Sequence, residues 1–136
     1  MTLLKVFLAG FLGVIVFHQV TVALLNAAGI LQPSIPVWSL DPVPPFSVPT
    51  IISKAFWGGV WALVLNQVLA RTEGAAFWGG WIALGAIALP LVAIFVVPPL
   101  KGMPIPPFMD RFPLYALINA MWGLGTAVFL KLFGLK

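Results

Sequence analysis

Cysteine is absent from the chain, and acid nearly so: 136 residues hold three Asp and Glu against seven Lys and Arg. Without cysteine there is no disulfide, no thiolate metal site and no thiol nucleophile. The acids are Asp41, Glu73 and Asp110, and all three fall at the edges of apolar runs. No pair of carboxylates is therefore placed to act as general acid and base inside those runs. One histidine, His18, leaves no metal-ligand cluster and no Ser-His-Asp set that can be assembled, and no phosphate loop is present. The chain is expected not to be an enzyme. The formal charge of +4 comes from scattered basic residues rather than from a patch that could track a phosphate backbone, so nucleic acid is not an expected partner.

What the chain does have is apolar length. Hydrophobic residues make up 62% of it. Lys5 and Asp41 bracket one charge-free run, Glu73 and Lys101 a second, Arg111 and Lys131 a third. A fourth, residues 55–70, extends upstream if Lys54 snorkels to the interface. Crossing a bilayer takes roughly 20 apolar residues. The predicted fold is one all-α integral membrane domain over residues 1–136, with four transmembrane helices at about 3–28, 50–69, 75–97 and 114–133. Lys5 ahead of an apolar stretch could open a signal peptide, but the run is too long for a signal h-region, so helix one is expected to be retained.

Two proline-rich stretches, 32–49 and 98–113, separate these helices, the first with six prolines. Proline density excludes regular helix there. Both stretches are too apolar for solvated linkers and read as interfacial loops, with Trp38 and Phe46 at headgroup level. Pro98 and Pro99 are expected to stop helix three, and Pro90 to kink it. The short polar turn at 71–74 makes helices two and three antiparallel neighbours.

Parts of the chain recur. A-F-W-G-G-V-W-A at 55–62 is echoed by A-M-W-G-L-G-T-A at 120–127, and V-P-P-F at 43–46 by I-P-P-F at 105–108. The halves, about 1–70 and 75–136, read as two parallel helix–proline loop–helix repeats with both proline loops on one side. Lys5, Arg71, Lys131 and Lys136 lie on the terminal side, against Lys54, Lys101 and Arg111 on the other, which favours both termini in the cytoplasm.

Three groups of residues are candidates for function. His18, Gln19 and Asn119 fall at ~15 Å and ~8 Å below the loop side by helical rise and can share a polar layer. That layer is an interhelical hydrogen bond, part of a transport path, or, through His18, a haem or pigment ligand. The small pairs Ala9/Gly13, Gly58/Ala62 and Gly123/Ala127 sit four apart and offer smooth stripes for close helix packing. Beside the glycines, Trp57, Trp61, Trp78, Trp81 and Trp122 could instead wall a groove for a lipid, quinone or carotenoid. Asn66 and Gln67 read as helix-end and headgroup contacts. No cofactor is required by the sequence.

In size the chain resembles small multidrug transporters and fluoride channels. The glutamate that the first family needs in helix one is replaced by His18-Gln19, and the polar track and phenylalanine box of the second find no counterpart. The V-P-P-F-x-V-P loop followed by A-F-W-G-G, within residues 17–61, resembles a group of small four-helix bacterial inner-membrane proteins. The resemblance implies a bacterial inner (cytoplasmic) membrane and no activity. The leading expectation is an accessory or assembly subunit of a larger inner-membrane complex, partnered by the bilayer and by other membrane subunits or itself. The alternatives are a small oligomeric transporter or channel, and a haem, pigment or quinone binder.

Overall fold

In the computed structural model, which describes residues 3–135, four long helices carry the chain. Lys136, counted above among the charges, lies outside the described residues. Helix α1 spans Leu3–Ala27, α2 Thr50–Leu69, α3 Gly74–Leu100 and α4 Phe108–Leu132. A small hairpin pairs β1, Pro42–Val43, with β2, Val48–Pro49, in antiparallel register. Helices α1, α3 and α4 are each long and apolar enough to cross a membrane. Helix α2 is not in that set: Lys54, Asn66 and Gln67 dilute its apolar length.

The helix ends follow from local chemistry. α1 closes with Gly29 at φ +73°, with Gly29 N–H on Asn26 O and Ile30 N–H on Leu25 O. α4 closes in the same way at Gly134, φ +77°, with Leu135 N–H on Leu130 O. Both are left-handed caps that satisfy the last carbonyls, and glycine adopts them without a Cβ penalty. Pro98 and Pro99 do not stop α3. The helix breaks at Val96, and the two prolines occupy a further helical turn, Val97–Leu100. Proline fits there because the first N–H groups of a turn have no helical acceptor to lose. Helix α4 starts at Phe108 rather than Leu114, with Pro113 inside its second turn. Pro113 is exposed, and its ring is accommodated in the opening turns of the helix. The second proline loop therefore shrinks to residues 101–107.

The helices form a row in the order α2, α1, α4, α3. The expected pairing of helices two and three is not the main one. They touch chiefly near their turn, where Leu69 lies over Gly80. A tight turn dictates where two ends meet, whereas smooth surfaces decide which helices pack. Gly10 lies against Gly58 O and the Ala62 methyl at the α1–α2 crossing. Gly123 lies against the Trp81 backbone, and a Cβ on Gly85 would sit 2.6 Å from Asn119 O at the α3–α4 crossing. Gly13 faces Thr126 between α1 and α4. Ala9 and Ala127 are fully buried.

Outside this core the surface is strongly apolar, with Leu4, Leu24, Val68 and Leu132 each more than 60% exposed. Such a continuous apolar exterior suits hydrocarbon rather than water.

Candidate functional site

The middle of α1 is not α-helical. Residues Val14–His18 form a π turn, which closes with Gln19 N–H on Val14 O. Three consecutive β-branched residues, Val14, Ile15 and Val16, crowd this stretch. π turns inside α-helices are enriched at functional sites. Here the turn receives a long-range partner: the indole of Trp38 donates to Ile15 O at 2.7 Å.

That bond corrects the expected place of the first proline loop. Ile15 lies about 18 Å along the axis from the end of α1 at Ala27, at ~1.5 Å per residue. The segment after α1 is therefore not a surface strap; it folds back along α1 toward its middle. Asn26 grips it on both sides, donating to Ile35 O at 2.6 Å and accepting from Ile35 N–H at 3.0 Å. Leu31, Ile35 and Val37 pack with Val22, Leu25, Leu114 and Ile118 in a second apolar cluster. The segment then caps α2, as Thr50 N–H bonds Asp41 O at 2.8 Å and Ile51 N–H bonds Ser39 O at 2.9 Å. Non-helical backbone at such depth is tolerated when it is held by protein in this way. Trp38 adopts φ +51°, a region that is strained for a residue with a Cβ, and its indole bond helps to hold it there.

His18 closes the π turn, and its Nδ1 lies 2.9 Å from Gln19 Oε1. Gln19 is 1% exposed. Asn119 does not join this group. Its amide donates to Tyr115 O, one turn back on its own helix, at 2.8 Å. It sits at the α3–α4 crossing, where its carbonyl meets Gly85. The expected layer is thus reduced to a His18–Gln19 pair, in the same π turn that Trp38 bonds at Ile15 O.

The five tryptophans do not share a wall. Trp57 is 57% exposed beside Phe56, whereas Trp81 and Trp122 are buried against each other with ring centroids 6.3 Å apart. Trp122 Nε1 donates to Gly10 O at 3.0 Å and also abuts Gly58. One indole on α4 therefore touches α1, α2 and α3. The sequence signals for Trp38 and Trp122 were the N–H groups themselves, since an indole in apolar surroundings requires an acceptor.

Two clefts lie at the ends of the bundle. One, of about 560 Å³, is bounded by residues 30–36 and the start of α4. The other, of about 340 Å³, is lined by Glu73, Phe77, Trp78 and Lys131 among others. Neither is lined by His18. Among the described residues no three His, Cys, Asp or Glu side chains could hold a metal ion. Comparison with protein families, with curated proteins and with solved structures finds no match.

Proposed function

We propose that this chain is a non-enzymatic, four-span accessory or assembly subunit of a larger complex in a bacterial inner membrane, with both termini cytoplasmic and the proline segments on the opposite side. The observation that carries the reading is the position of α2. It is the one long helix outside the membrane-length set and flanks the row with α1 as its main neighbour. It nevertheless presents Phe56, Trp57, Val64 and Val68 outward. A flanking helix that mixes Gln67 with large aromatics is better suited to a protein neighbour than to lipid alone. The glycine stripes are consumed inside the bundle, so the partner surface is this outer face.

The test is native mass spectrometry after extraction in mild detergent, with an absorption spectrum of the same sample. Larger subunits should co-purify at fixed stoichiometry, and Trp57→Ala with Val64→Ala should release them while helicity and melting temperature stay unchanged. A bare homo-oligomer would defeat the reading. A second reading, a small oligomeric transporter, draws on the π turn, the His18–Gln19 pair and the folded-back proline segment, because interrupted apolar segments line transporter binding sites. It requires a flux that His18→Leu abolishes without unfolding the protein. The haem, pigment or quinone reading has less behind it. The tryptophans that would wall a groove diverge, with Trp57 exposed and Trp81 and Trp122 buried. A visible band lost in His18→Leu would revive it.

A further inference from the structure

The larger cleft combines charges of both signs with an apolar floor at one end of the bundle. Asp110 and Arg111 stand on the first turn of α4, with Leu114 and Tyr115 one turn below. Gln32 and Ser34 face them from the segment after α1. Among the described residues neither Asp110 nor Arg111 is in an ion pair, so both charges are open to a ligand. Gln32 uses its amide nitrogen on Gly29 O at 3.1 Å, which leaves its oxygen as an acceptor. Tyr115, the only tyrosine, is partly buried and adds a hydroxyl. Leu31, 5% exposed, anchors the floor.

Position narrows the choice of ligand. Val22 of α1 packs with Ile118 of α4, so the end of α1 and the start of α4 lie at the same end of the bundle. The cleft therefore sits where the apolar spans stop, at headgroup depth. Leu117, one turn below Leu114, is 47% exposed and continues an apolar track toward the bilayer interior. The cleft volume falls in the usual range for a small-molecule site, about 300–1,000 Å³.

From this geometry we infer that the cleft binds the headgroup of an amine-bearing zwitterionic phospholipid, one per chain. Arg111, with the Ser34 and Tyr115 hydroxyls, takes the phosphate. Asp110 and the Gln32 carbonyl oxygen take the primary ammonium, and an acyl chain runs down past Leu114 and Leu117. A guanidinium suits phosphate oxygens through paired N–H donors. The inference does not depend on the accessory-subunit reading, because the cleft is built within one chain.

The full-length protein would be delipidated in detergent and titrated with ethanolamine-, choline- and glycerol-headed phospholipids of matched chains, with adducts counted by native mass spectrometry. One ethanolamine lipid should bind at least about fivefold more tightly than the choline lipid, the scale of one basic contact at a membrane surface. Arg111→Gln should weaken all three lipids. Asp110→Asn should abolish the preference for ethanolamine over the glycerol headgroup and leave phosphate recognition in place. Soluble phosphoethanolamine should compete only weakly, since it lacks the acyl chain. Equal binding of the three lipids, a preference for the glycerol headgroup, or variants indistinguishable from wild type would overturn the inference. So would full competition by inorganic phosphate, which would make the occupant a free anion. Circular dichroism of each variant separates loss of binding from loss of fold.

Discussion

Trp122 is where all four helices meet. Its indole bonds Gly10 O on α1, its ring lies edge-on to Trp81, and it abuts Gly58 on α2. Trp122→Phe keeps most of the ring but removes the donor. It should cost about 1–2 kcal/mol, the upper range for a hydrogen bond between membrane helices. Trp122→Ala adds a cavity and should cost about 3–5 kcal/mol. Reversible unfolding in mixed micelles would measure both, and equal stability of Trp122→Phe and wild type would remove the bond from the account. A glycine pair offers a second test. A Cβ on Gly123 would run into the Trp81 backbone, whereas one on Gly79 would meet nothing within 4 Å. Gly123→Ala should destabilise by about 1–3 kcal/mol through overpacking. Gly79→Ala should be neutral or stabilising, because alanine is the better helix former. The same unfolding assay decides, and a larger loss at Gly79 would contradict the packing described here.

At the scale of elements, α1 and the segment folded onto it form one unit. Asn26 and Trp38 hold it by three hydrogen bonds, to Ile35 and to Ile15 O. Asn26→Ala combined with Trp38→Phe should loosen residues 30–40 while the α1–α4 contact persists. Hydrogen–deuterium exchange should then show lost protection at Ile35 and at the start of α2, whose first N–H groups bond Ser39 O and Asp41 O. Unchanged exchange there would mean that the apolar cluster alone holds the segment. The boundaries of α2 were legible in the sequence, because proline before it and the polar turn after it are local signals. The π turn was not, because an almost uniformly apolar helix has no polar face whose phase could reveal a shift. The start of α4 was misplaced because proline is tolerated in the opening turns of a helix as well as beyond its end. The V-P-P-F and I-P-P-F echoes differ in structure: the first turns a hairpin with a cis Pro44–Pro45 bond, and the second leads into α4 at Phe108.

At the scale of the molecule, the proposed four-span topology would put Phe46 and residues 101–107 on one side, and the turn at 71–73 with the end of α4 on the other. The natural lack of cysteine makes this directly testable. Phe46→Cys and Met103→Cys should react with an impermeant maleimide from one side of sealed vesicles, and Thr72→Cys only from the other. Labelling of Phe46→Cys and Thr72→Cys from the same side would show that α2 does not cross. The sequence by itself determined that the chain is all-α with helices apolar enough to cross a membrane, where most of the helices lie, and that the proline segments interrupt them. Those features depend on charge, apolar length and proline, each read within a few residues, and the cost of burying charge in hydrocarbon is large enough to be decisive alone. Tertiary structure decided the order of the row, the folding back of residues 28–49, and the partners of His18, Trp38 and Trp122. These rest on contacts such as Trp122 with Gly10, 112 positions apart. Where nearly every face of a helix is apolar, hydropathy cannot choose among neighbours, and the choice passes to the fit of glycine against backbone and of each indole N–H to an open carbonyl.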